Sequence, residues 1–157
     1  MSEAAEGFNP EYDPTGIEGG LDTNLLPWIG VPNTQGISMK TVRASMESGM
    51  FSLIIKIDEG KAFPNSVFLG GMDLLVLSGE LDFSQGGQTS VLKPGTWGFV
   101  PANTKIDSIA ARSESEMLVN FFNGISILDS DGSLEGIITA MDVNQLAKDA
   151  GVTMVPS

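Results

Sequence analysis

The chain has 157 residues, 41% of them apolar, with 20 acidic against 8 basic side chains and a net charge of -12. That is material for one core rather than two, and the acidity repels phosphate backbones and anionic bilayers, so binding to nucleic acid or membrane is not expected. Histidine and cysteine are both absent, which excludes disulfides, thiolate metal sites and thiol nucleophiles.

The start, Met1-Ser2-Glu3-Ala4-Ala5-Glu6-Gly7, lacks the basic and apolar regions of a signal peptide. No later segment reaches the roughly 18 apolar residues of a membrane span, so a soluble, cytoplasmic protein is expected. Residues 1–24, rich in Gly, Glu, Asp and Pro, read as a flexible acidic tail that holds the only tyrosine, Tyr12. A single domain is expected over 25–157, its order beginning at Leu25-Leu26-Pro27-Trp28, where a large aromatic should dock on the core.

Short strands follow, punctuated by turns: Ser38 to Ala44, Met50 to Asp58, Ser66 to Phe68, Met72 to Ser78, Glu80 to Phe83, Ser90 to Leu92, Trp97 to Val100, Thr104 to Ala110 and Met117 to Phe122. Such a series predicts an all-β sandwich or barrel. Phe51, Leu53, Ile55 and Ile57 alternate with Ser52, Ile54, Lys56 and Asp58, so one face of that strand enters the core. In the strand from Met72, Leu74 and Val76 oppose Leu75 and Leu77, so both faces seek cover, from a second sheet or a second subunit. Asp129-Ser130-Asp131-Gly132 reads as a hairpin turn. A helix over Met141 to Ala150 should lie against the barrel with Val143, Leu146, Ala147 and Ala150 on one stripe, stopping at Gly151.

Two spacings carry most of the information. Gly60 and Gly79 bracket Ser66, Phe68 and Met72, and Gly95 is followed by Pro101, Asn103, Ile106 and Ala110. This pattern resembles the two cupin motifs, in which the intervening positions hold His, His, Glu and, in the second motif, His. The wider chain, over roughly 25–150, resembles the cupins related to 2,4'-dihydroxyacetophenone dioxygenase and acetylacetone-cleaving dioxygenase, a branch that includes anti-sigma-factor-type sensor cupins. Leu26-Pro27-Trp28, Gly36-Ile37-Ser38-Met39-Lys40 and the segment Asn123 to Gly132 carry that likeness. It implies a double-stranded β-helix, or jelly-roll barrel, with a short C-terminal helix and often a homodimer, whose active members hold iron or another divalent metal for carbon–carbon cleavage with oxygen.

The departure from the family is equally informative. Such a metal needs imidazole and carboxylate donors converging on one point, whereas Ser66, Phe68, Met72 and Ile106 offer a hydroxyl, a phenyl ring, a thioether and an alkyl group. No metal and no cofactor are expected, and the lumen should be apolar. Its ligand-pocket candidates are Ser66, Phe68, Met72 and Ile106, joined by Met117 as an adaptable wall and Trp97 as a stacking platform at the barrel mouth; ordinary packing is the alternative for Phe68, Met72 and Met117 and the more common role for an aromatic placed like Trp97. Asp129, Asp131 and Glu135 read as a turn rather than a calcium loop, because the glycine comes too early. Ser84-Gln85-Gly86-Gly87-Gln88 has no following helix and reads as a strand connection rather than a phosphate loop.

Acid–base chemistry would fall to Asp73, Asp107, Glu116 or Lys56, which the alternation places on outer or rim faces. Metal-free sugar epimerases with this barrel rely on histidine and tyrosine and match poorly. Three readings follow: a metal-free cupin binding a small apolar or carbonyl-containing molecule, diverged from a dioxygenase-like ancestor; a family-related enzyme or a metal-independent isomerase or lyase; and a structural or sensor dimer with a packed lumen. They differ in the space bounded by Ser66, Phe68, Met72 and Ile106.

Overall fold

The structure, a computed structural model, describes residues 21–152. The acidic tail expected over 1–24 therefore lies outside the described residues as far as residue 20, Tyr12 included. A 3-10 turn at Thr23–Leu25, capped by the Asp22 carboxylate, opens the described chain.

Fourteen strands and one helix follow: β1 Ile29–Gly30, β2 Ile37–Ala44, β3 Phe51–Ile57, β4 Ala62–Phe63, β5 Ser66–Phe68, β6 Met72–Ser78, β7 Leu81–Gln85, β8 Gln88–Leu92, β9 Trp97–Val100, β10 Thr104–Ile106, β11 Ser108–Ala111, β12 Ser115–Phe121, β13 Ile125–Leu128, β14 Leu134–Ile138 and α1 Ala140–Asp149. They form a six-stranded sheet in the order β1-β2-β3-β12-β6-β9 and two four-stranded sheets, β10-β5-β13-β14 and β4-β11-β7-β8. Every pairing is antiparallel. Buried side chains from all three sheets merge into one hydrophobic cluster, so this is the jelly-roll barrel that the sequence predicts. No helix among the described residues is long and apolar enough to cross a membrane.

The expected strand from Thr104 to Ala110 is broken at Asp107. β10 pairs with β5, whereas β11 pairs with β4 and β7, so the chain must change sheets there, and the Asp107 amide donates to the Ser84 carbonyl at 2.9 Å as it crosses. β1 and β4, two residues each, are too short to leave a period in the sequence. In β3 the outward residues Ser52 and Ile54 are buried along with the inward ones, because the strand lies between β2 and β12 and their side chains close over it. Sequence alternation alone predicts a more exposed outer row.

The hairpin of β13 and β14 turns at Asp129–Gly132, where the Asp129 carboxylate accepts the amides of Asp131 and Ser133, both at 2.9 Å. α1 starts on a capping box: the Thr139 hydroxyl accepts the Asp142 amide at 3.3 Å, and the Asp142 carboxylate accepts the Thr139 amide at 2.9 Å. Val143 and Ala147 are fully buried and Leu146 half-buried, as the stripe predicts, but Ala150 is exposed because it is the C-cap rather than part of the packed face. Leu26 and Val152 close over Ala147, tying the start of the described chain to the helix.

Candidate functional site

The two motif spacings meet in the lumen. β5 and β10 pair so that Ile106 stands opposite Ser66 and Thr104 opposite Phe68, while β13 on the other side sets Ile127 against Ser66 and Ile125 against Phe68. Met72 opens β6 in the facing sheet, between Val100 and Phe121. The turns that fix this register are those the spacing predicts. Asn103, standing where the second motif has glycine, adopts φ 62, a left-handed conformation that Asn tolerates better than most residues, and its amide donates to the Phe68 carbonyl at 2.8 Å. Gly79, which closes the first motif, has φ 79, and a Cβ there would lie 2.5 Å from the Glu114 carbonyl oxygen and collide with the Ser115 hydroxyl. Glycine is obligatory at that position for two separate reasons.

Ser66, Phe68, Met72 and Ile106 are all at most 1% exposed. The Ser66 hydroxyl donates to the Pro64 carbonyl at 2.8 Å, so the one polar group among them turns back to its own chain instead of toward a ligand. Phe68 meets Phe121 edge-on with centroids 5.6 Å apart, and Phe121 meets Phe51 at 5.1 Å. Phe63, Phe68, Phe121 and the thioethers of Met72 and Met117 close around a gap too narrow for a water molecule.

Of the six pocket candidates, Phe68, Met72 and Met117 line this void. Ser66 and Ile106 are buried beside it. Trp97 is elsewhere: β9 pairs with β6 so that Trp97 opposes the outward Leu75, leaving its ring 63% exposed on the outside of the barrel. It is neither a platform at the mouth nor part of the core, because its strand parity is opposite to that of Gly98 and Val100. The acid–base candidates also face away from the lumen. Asp73 and Glu116 alternate with buried Met72, Leu74 and Met117, Asp107 is exposed, and Lys56 lies over the Trp28 ring at 4.4 Å.

A divalent metal of the kind family resemblance implies does not fit these residues. The four ligand positions supply one hydroxyl, already donated to Pro64, and no imidazole or carboxylate. Among the described residues no three His, Cys, Asp or Glu side chains are placed to hold a metal ion together.

Three features outside the lumen escaped sequence reasoning. A polar ladder crosses the outer face of the large sheet, the Ser52 hydroxyl donating to Asn120 Oδ1 at 2.6 Å and Asn120 Nδ2 donating to Asp73 Oδ1 at 2.8 Å. These residues lie far apart in sequence, and only strand order reveals the line. On the same face Trp28 lies beneath two ammonium groups, Lys40 at 4.7 Å and Lys56 at 4.4 Å, and Lys40 also donates to the Thr23 carbonyl at 2.8 Å. A cleft of about 250 Å³ lies outside the barrel between α1 and β14, lined mainly by Pro32, Ile137, Ile138 and Leu146.

The ChrR Cupin-like domain family matches residues 18–125. No curated protein matches the chain in sequence. The fold is similar to that of an acetylacetone dioxygenase from Acinetobacter johnsonii (15% identity, 78% of this chain and 86% of that one covered, TM-score 0.69). It is also similar to an RmlC-like cupin protein from Ralstonia eutropha (15% identity, 85% and 89% covered, TM-score 0.73). A polyketide cyclase from Streptomyces resistomycificus is more distant (10% identity, 74% and 80% covered, TM-score 0.55). These neighbours place different chemistries on one barrel, so the fold by itself does not choose among them. The chain is a cupin, a member of the ChrR Cupin-like domain family with dioxygenases among its structural relatives.

Proposed function

We propose that this protein is a metal-independent cupin of the structural or sensor kind, which acts through its outer surface while its lumen serves as a packed hydrophobic core. The observation that carries this reading is the filling of the lumen: the four positions that bear ligands in metal-binding cupins are buried, apolar or internally hydrogen-bonded, and the gap that Phe68 and Met72 line with neighbouring side chains is too narrow for water. The outward placement of Asp73, Glu116, Asp107 and Lys56 supports it further, since these acid–base candidates lie away from the interior. A second reading, binding of a small apolar or carbonyl-containing molecule in the lumen, is favoured by one observation: two methionines border the void, and thioether side chains repack readily around a guest.

The test is purification of the protein without added metal, followed by metal analysis, mass spectrometry of molecules released on denaturation, and thermal melts with ferrous iron, zinc, manganese or nickel. The expected result is no stoichiometric metal, no equimolar small molecule, and melting shifts below about 1 °C, since a ligand stabilises only by binding the folded state. A near-equimolar metal or a clear metal-dependent shift overturns the proposal. An equimolar organic molecule replaces it with the lumen-binding reading.

A further inference from the structure

Three of the chain's 8 basic residues, Lys40, Arg43 and Lys56, share the β2–β3 end of the outer sheet face, where the outward positions of those two strands hold no carboxylate. All three are half-buried, whereas every other lysine and arginine is exposed. They nevertheless lack an anionic partner: the one ion pair among the described residues joins Arg112 to Asp82, beside β7. Glu116 stands opposite Lys56 in register without pairing with it, and the Asp22 carboxylate is turned to the Asn24 amide. The ammonium groups of Lys40 and Lys56 lie 4.7 and 4.4 Å from the centre of the Trp28 ring. Two like charges therefore stand within about 9 Å of each other, inside the ~10 Å screening length of 0.1 M salt. Arg43 Nε is buried with no hydrogen-bond partner among the described residues. Cations drawn partly out of water and left without a counter-charge are unfavourable, so this cluster calls for an anion.

We infer that this anion is the chain's own acidic segment, residues 1–20, laid over Lys40, Lys56 and Arg43 as a cover on this end of the face. That segment, outside the described residues, holds Glu3, Glu6, Glu11, Asp13 and Glu18 and no basic side chain. Its point of attachment is already at the cluster. Leu21 packs beside Ala147 and Val152, and the Thr23 carbonyl accepts the Lys40 ammonium at 2.8 Å. At ~3.3 Å per residue Glu18 reaches ~16 Å from Thr23 and Asp13 about twice as far, whereas Lys40 and Arg43 are only ~10 Å apart along β2. Length is therefore no obstacle. A tether this short holds the carboxylates near the cations at an effective concentration on the order of millimolar, so contacts too weak to join separate molecules suffice. A separate acidic protein arrives with its whole charge and is repelled by the net -12 of this one, while the attached segment is part of that total. Ile17 and Tyr12 stand next to Glu18, Asp13 and Glu11 in sequence and bring apolar surface beside each charge. The inference goes beyond the functional reading and holds whether the lumen is packed or loaded. It gives the outer surface a cover that salt or a competing polyanion would lift.

The experiment places a nitroxide on Thr15→Cys of the full chain, which has no other thiol, and reads the paramagnetic broadening of backbone amides by nuclear magnetic resonance. Amides of Lys40, Arg43 and Ser52 should broaden strongly, and those of Thr89 and Ser90, in β8 of another sheet, should not. Raising the salt to ~1 M, where the screening length falls to ~3 Å, should reduce the broadening at least about twofold. Glu11→Gln/Asp13→Asn/Glu18→Gln, which leaves every residue of the barrel in place, should do the same at low salt. Lys40→Glu/Lys56→Glu, its folding verified by circular dichroism, should abolish the effect, and adding Glu11→Lys/Asp13→Lys/Glu18→Lys to it should restore the broadening. Broadening that is absent, or that ignores salt and the carboxylate substitutions, overturns the inference. So does broadening that arises only when a spin-labelled copy is mixed with an isotope-labelled one, because the segment then covers a second molecule. The two proposals fail separately: a bound metal or organic molecule with the segment docked sinks the functional reading alone, whereas an undocked segment on a protein free of both sinks this inference alone.

Discussion

The inner and outer faces of the six-stranded sheet divide the labour in the reverse of what a metal-binding cupin would require. Along β6, Met72, Leu74 and Val76 face inward and are buried, while Asp73 and Leu75 face outward half-buried and Leu77 is exposed. Across the sheet, the inward positions hold mostly hydrocarbon, aromatic rings and thioethers, with the buried hydroxyls of Thr41 and Ser115 among them, and the outward row holds the hydrogen-bonded ladder, the paired lysines over Trp28 and two exposed aromatics. The side-chain hydrogen-bond ladder lies on the exterior of the sheet, away from the lumen. A barrel needs its interior positions filled, but not filled with chemistry, and once the donors are gone packing density becomes the constraint on them.

Truncations on the two faces should differ most where this contrast is real. Phe121→Ala removes the ring that joins Phe51 and Phe68 and should cost about 3–5 kcal/mol in denaturant unfolding; Phe99→Ala, in dilute protein, should change stability by no more than about 0.5 kcal/mol. Equal losses would erase the distinction between the faces. Gly79→Ala tests the turn that holds the two faces in register. The left-handed backbone alone should cost about 1–3 kcal/mol, and the approach of Glu114 and Ser115 should place the loss at the upper end. A neutral result would mean that the turn relaxes freely. Smaller again is Asn120→Ala, which breaks both links of the outer ladder and should cost about 1–2 kcal/mol at this half-buried position. A silent Asn120 would reduce the ladder to ornament on a sheet already fixed by its core.

The barrel and the positions within it were legible because both signals are local. Glycine and proline turns repeat at motif spacing, and alternation in β2 and β12 marks which residues turn inward. Asn103 illustrates the strength of spacing: a residue that does not match the motif still takes the backbone conformation the motif demands. Trp97 illustrates its limit. The residue type and the preceding Pro-Gly turn said nothing about which side of the sheet the ring would take; only pairing with β6, twenty residues earlier in the chain, decides that. Whether the lumen would be open or filled was likewise beyond the sequence, because the answer depends on how Phe63, Phe68 and Phe121, from three different strands, share one volume. The outer ladder and the change of sheets at Asp107 depend on strand order in the same way.

The placement of the two tryptophans has an optical consequence. Trp28 lies beneath Lys40 and Lys56 near one end of the outer face, Trp97 stands in water at the other, and the aromatic rings of the core are phenylalanines. Intrinsic emission therefore reports the exterior of the sheet and is nearly blind to the barrel interior, whereas the near-ultraviolet dichroism of the packed phenyl rings reports the interior. Followed together during unfolding, the two signals watch opposite sides of one sheet, and their coincidence or separation tells whether the surface and the core of this barrel melt as a single cooperative unit.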